Sequence, residues 1–131
     1  MKQISILLLA LTFIIKTSNG QSNKFRVDYN LVSIYDSDTQ TWSDFKSGYN
    51  TFVINCNSNG DIMHIKANGS KVIYRKLSGS ESKYTKTGDH YQIISALDDD
   101  GDKFRFQIFD EKSIGLKMIY KNIMIQFASN E

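Results

Sequence analysis

The chain has 131 residues, 16 Lys and Arg against 14 Asp and Glu, no proline and a single cysteine. That length holds one packed core rather than two. The charge balance offers no global attraction to nucleic acid or an anionic surface, and one cysteine excludes an internal disulfide, so stability must come from packing.

The first element is "MKQISILLLALTFIIKTSNGQS", in which Lys2 precedes an apolar run from Ile4 to Ile15 and small residues follow at Ser18 and Gly20. That is the layout of a secretory signal peptide cut after Gly20. Lys16 stops the run well short of the ~20 apolar residues that a spanning helix needs. No cysteine near the cut marks a lipid attachment site. The expectation is a signal peptide over 1–20 and one all-β domain over 21–131, exported to the periplasm or beyond the cell, with no membrane span after cleavage. Removing Lys2 and Lys16 leaves 14 basic against 14 acidic side chains, which argues against a nucleic-acid partner.

Alternating apolar positions then predict strands over 24–35, 50–56, 62–67, 71–77, 83–87, 91–98, 103–109, 116–120 and 123–128. In "FRVDYNLVSIY", Phe25, Val27, Tyr29 and Leu31 keep one phase while Val32 and Ile34 keep the other. A bulge or bend is expected between them, as where a strand rounds a barrel corner.

Paired turn residues suggest how the strands meet. Read as two-residue tips, Asn68-Gly69 sets Ile65 against Val72 and Met63 against Tyr74, and Asn59-Gly60 sets Ile54 against Ile65. Asp100-Gly101 sets Leu97 against Phe104 and Asp98 against Lys103. Lys121-Asn122 sets Met118 against Ile125 and Leu116 against Phe127. Gly88-Asp89 is a fifth tip, placing Tyr84 across from Ile93. Each reading gathers apolar side chains on one face, including Met63, Ile65, Leu97 and Phe104. The fold expected is an antiparallel meander of eight or nine short strands, closed or partly open as a small barrel, with a two-sheet sandwich as the alternative.

The least regular stretches are 36–48 and 78–82. Trp42 and Phe45 lie in the first, where they either plug one end of the core or mark a partner contact.

The residues with chemical potential are few. Asp98, Asp99, Asp100 and Asp102 crowd one tip. Aligning Gly101 with the invariant glycine of a calcium loop puts Ala96 and Gln107 at the two decisive ligand positions, so a solvated turn is the better reading. Asp110 and Glu111 fall at another exposed turn, where carboxylates share one wet environment and simply ionise. Cys56 is expected on the face opposite His64, as an inert packing thiol. His64 and His90 alone do not make a zinc site. No signature of a cofactor, a phosphate loop or a nucleophile elbow is present. Lys71, Arg75, Lys76, Lys83 and Lys86 form the most basic stretch, with Tyr74 expected inside. Of these, Lys71, Arg75 and Lys76 join Trp42 and Phe45 as candidate partner contacts, although lysines on open strand faces also guard against aggregation. Asn68-Gly69-Ser70 matches a glycosylation sequon that only a eukaryotic secretory host would use.

The signal peptide, "TWSDF", "NGDIMHIKANGSKVIY" and the closing "DDDGDKFRFQIF…GLKMIYKNIMIQF" resemble small exported bacterial β proteins of unassigned function. The resemblance implies a fold style and no active site. The architecture is also loosely similar to lipocalin-type barrels, although their G-x-W motif on the first strand is absent. The function expected is a non-enzymatic binding domain. It would either hold a small apolar ligand inside the barrel or recognise another macromolecule through its strand face and loops. An interaction or inhibitor protein without a cavity is the alternative, and an enzyme is ranked last. Large rings such as Phe104, Phe106, Phe127, Tyr91 and Tyr120 bear on the choice, because a filled interior favours surface recognition.

Overall fold

A computed structural model describes residues 24–77 and 79–131, so the expected signal peptide lies outside the described residues. Within the described residues ten strands follow one another: β1 Phe25–Asp36, β2 Thr41–Trp42, β3 Lys46–Ile54, β4 Ile62–Ile65, β5 Lys71–Lys76, β6 Glu81–Tyr84, β7 His90–Leu97, β8 Lys103–Phe109, β9 Leu116–Tyr120 and β10 Ile123–Ala128. Every pairing is antiparallel, and among the described residues there is no helix long and apolar enough to cross a membrane.

Sequential hairpins carry the sheet around in the order β1, β3, β4, β5, β7, β8, β9, β10. It closes because β1 is long enough to pair on both sides: Phe25–Val32 meets β3, and Leu31–Tyr35 meets β10. The result is a closed eight-strand barrel, the architecture expected from the alternation. β2 adds a short edge to the end of β1, and β6 takes over from β5 along β7, pairing with its first half.

The expected change of phase in β1 is present as a register shift, but it falls between Tyr29 and Leu31, so Leu31 belongs with the second part of the strand rather than with Tyr29. One additional residue there turns Val32 inward after Tyr29, so a single strand serves both the mouth and the body of the barrel.

Four of the expected turns are corrected. Only the glycine of each pair takes a positive φ: Gly60, Gly69, Gly88 and Gly101 do, whereas Asn59, Asn68 and Asp100 do not. A two-residue type I′ tip needs both, so the chain uses longer loops that end in a left-handed glycine. Lys66 donates its amide to Ser70 and Asp98 donates to Asp102, enclosing the three-residue loops 67–69 and 99–101. Ile65 therefore faces Lys71 rather than Val72, and Leu97 faces Lys103 rather than Phe104. Loop 57–60 shifts its hairpin further, setting Phe52 against His64, and loop 86–88 sets Tyr84 against His90. On β4 and β7 these shifts exchange the two faces. Ile62, His64, Ile94 and Ala96 point inward, while Met63, Ile65 and Leu97 lie half-buried on the outer wall. Met63 is tolerated there because its cross-strand partners are Val53 and Ile73. The Lys121-Asn122 tip keeps the expected pairing of Met118 with Ile125 and Leu116 with Phe127.

Rings fill the interior. Phe52 and Phe106 have no exposed surface, and the Phe52 ring lies 6.1 Å from Tyr29, 6.5 Å from Phe106 and 5.0 Å from Phe127, centroid to centroid. Tyr74 packs edge-on against Phe104 and Phe106, and Phe104 stacks on Tyr120. An eight-strand barrel is just wide enough for its inward side chains to occupy it, and aromatic residues at this density do so.

Candidate functional site

The inward row of the ladder runs from Val32 through Phe127, Leu116 and Ile108 to Gln92 and Ser82. Its first four members belong to the packed body or lean on it, and its last two emerge at one end of the barrel. There the start of β1, the end of β8 and the turn after β8 surround a recess of about 280 Å³. Phe25, Val27, Tyr29, Ile108 and Phe109 form its apolar wall, and Arg26, Gln92, Asp110 and Lys112 its polar margin.

Beside the recess three polar side chains form a chain. The carboxylate of Asp110 lies 2.8 Å from Nδ1 of His90, and Nε2 of the same ring is in hydrogen-bond contact with Oγ of Ser82. A carboxylate can only accept, so Nδ1 carries the proton and Nε2 accepts from the serine hydroxyl. The pairing geometry explains the convergence: Tyr84 is opposite His90, which puts Ser82 diagonally across, and Asp110 donates its amide to the carbonyl of His90. His90 is about three-quarters covered, with the ring of Tyr84 at 5.0 Å, while Asp110 is largely open. Asp110 was expected to be a solvated turn acid; the structure ties it to a histidine.

The other histidine is internal. His64 is 5 % exposed, lies flat on Phe52, and donates from Nε2 to Oδ1 of Asn50 at 2.9 Å. Among the described residues its Nδ1 has no partner. Burial, reinforced by the positive charge of Lys66, holds its pKa down at about 4, so the ring is neutral. Cys56 is half-buried at the mouth of the β3–β4 loop, where burial and then the charge of Asp61 push its thiol above the usual range, away from reactivity. Its backbone amide donates to the carbonyl of Asp61.

At the acidic tip, carboxylate oxygens of Asp98, Asp100 and Asp102 come within 4.8 Å of one another. Oδ1 of Asp98 accepts the amides of both Asp100 and Asp102, so the acids serve the turn itself. Trp42 and Phe45 are exposed at 37 % and 45 %; Trp42 packs at a tilt against Tyr35 on the outer wall, beneath the ammonium of Lys117, rather than plugging the core. Lys71 and Arg75 are exposed and Lys76 half-buried on β5, with β3 and β4 between them and the Trp42 edge of β1. The candidate contact residues thus belong to two separate patches. Tyr74 is inside, as expected.

The fold and this end site define a small closed antiparallel barrel with a packed interior and a polar, recessed mouth. No protein family, curated protein or solved structure matches the chain.

Proposed function

We propose that this is an exported recognition domain, periplasmic or extracellular, that binds a protein partner through its outer wall and loops. The observation that carries this reading is the occupation of the barrel axis by Tyr29, Phe52, Phe106 and Phe127, ring against ring. A domain specialised to enclose an apolar ligand keeps that space open. The segment around β2 supplies the matching surface. Trp42, Phe45 and Tyr49 are all exposed within one short stretch, and exposed aromatic side chains are the residues that anchor protein interfaces.

The test begins with the chain purified from the exported fraction of its own host. Native mass spectrometry is expected to show the bare chain or a complex with a second protein, and Trp42→Ala with Phe45→Ala is expected to weaken that complex about 30-fold or more. A small molecule of constant mass retained by the chain would overturn the reading.

A further inference from the structure

We propose that Ser82 is a nucleophile toward small carboxylic esters, with His90 as its general base and Asp110 as the positioning residue. The inference goes beyond recognition and does not rest on it.

Three features of the mouth converge on this chemistry. The first is the order of the hydrogen bonds. A serine hydroxyl is a weak nucleophile until a base takes its proton, and an imidazole can do so only when its bare nitrogen faces the oxygen. Here Asp110 fixes the proton on Nδ1, so the lone pair of Nε2 faces Ser82. Aspartate, histidine and serine occupy the roles in the sequence that acyl transfer requires. The second is a donor beside the oxygen: Gln92 lies directly across the ladder from Ser82 and its side chain lines the recess, where an amide can stabilise the anion that forms on an attacked carbonyl. The third is a place for the acyl group. Asp110 and Gln92 border the recess, whose apolar wall and volume of about 280 Å³, below the usual span for ligand pockets, suit a short acyl chain or a single ring.

The reaction balances as hydrolysis. Oγ of Ser82 bonds to the ester carbonyl carbon as its proton passes to Nε2 of His90. The carbon–oxygen bond to the alcohol breaks, and the alcohol leaves with that proton. Water then attacks the acyl-serine and gives a proton to Nε2. The carboxylic acid departs as Oγ recovers the proton, so one ester and one water become one acid and one alcohol.

The probe is an alkyl fluorophosphonate, which forms a serine oxygen–phosphorus bond and expels fluoride. With the full chain, a single adduct is expected, mapped to Ser82 by peptide mass spectrometry and absent from Ser82→Ala. His90→Ala should slow labelling about 10²-fold or more, the scale of a lost general base. Asp110→Asn should also slow it, with partial recovery in Asp110→Glu, a rescue that a purely structural carboxylate would not show in labelling rate. p-Nitrophenyl acetate hydrolysis should follow the same ranking. All three side chains are at the surface or the mouth, so unchanged thermal unfolding will verify that the variants fold; if His90→Ala is unstable, His90→Gln takes its place. No adduct, an adduct at another serine, or labelling of Ser82 at a rate indifferent to His90 would overturn the proposal.

Discussion

His64 lies flat against Phe52, its directly opposed partner across β3 and β4, with ring centroids 4.2 Å apart and planes 12° from parallel. Phe127 packs edge-on alongside this pair, 5.5 Å from His64 and 5.0 Å from Phe52. A neutral imidazole fits this apolar slot because one nitrogen reaches Asn50. An imidazolium would place an unpaired charge in the barrel core.

A dependence of stability on pH follows. The folded pKa of His64, about 4, lies below its ordinary 6.5, so between those values the unfolded chain binds the additional proton. Stability is then fully present above pH 6.5 and declines as pH falls toward 4, by about 3 kcal/mol across the window. Urea midpoints at pH 7 and pH 4.5 will measure it. His64→Leu is expected to flatten this decline, and an equally steep decline in that variant would assign it to other groups. Asp28, whose carboxyl is held low chiefly by its hydrogen bond from Thr51, contributes at more acid pH and remains in both proteins.

Gly115 and Gly69 separate two effects of glycine. Both take positive φ, but a Cβ on Gly115 would meet the carbonyl oxygen of Phe127 at 1.8 Å, whereas a Cβ on Gly69 meets nothing. Gly69→Ala should cost about 1 kcal/mol, the strain of a left-handed residue alone. Gly115→Ala should cost about 4 kcal/mol or more, because the β8–β9 turn must separate from the backbone of β10. Chemical denaturation of the two variants checks the difference, and equal losses would show that the turn is loosely seated.

Asp61 ties two hairpins together. It is 6 % exposed, and its carboxylate accepts the backbone amide of Lys76 at 2.9 Å and the side-chain amide of Asn57 at 3.0 Å. Asp61→Ala leaves both donors unmatched and is expected to destabilise by about 2–3 kcal/mol. It should also accelerate hydrogen exchange at the Lys76 amide more than at amides of β9 and β10. Uniform acceleration would mean that the link is not local.

The course of the strands was readable from alternation, and so was the phase change in β1, because both depend only on which residues prefer a half-buried pleat. Register was readable only at Lys121-Asn122. At Asn68-Gly69 and Asp100-Gly101 the same two-residue reading missed by one position, since the asparagine and the aspartate use their place before glycine differently. Oδ1 of Asn68 accepts the amide of Ser70, and the left-handed conformation is left to glycine. Agreement between two hairpins on one apolar face was not decisive, because β4 carries Met63 and Ile65 on one side and Ile62 on the other.

The same slip concealed the site. In the observed register of β7 and β8, the position opposite His90 just beyond the ladder is Asp110, whereas the two-residue turn would have put Glu111 there and set Asp110 against Tyr91. Ser82 lay in a segment read as loop, and nothing in its spacing to His90 marks it. A three-residue loop ending in glycine, considered as the alternative at 99–101, is the signal that could have brought His90 and Asp110 together.

The central claim is a closed barrel whose axis is occupied by its own rings. The most direct measurement is the pattern of nuclear Overhauser contacts in the isotopically labelled chain. The account expects cross-strand contacts joining β1 to β10, from Leu31 with Ala128 to Tyr35 with Met124, together with contacts from the Phe52 ring to Phe106, Phe127 and His64. An open edge on β1, or a Phe52 ring that sees a bound molecule in place of Phe106 and Phe127, would contradict it.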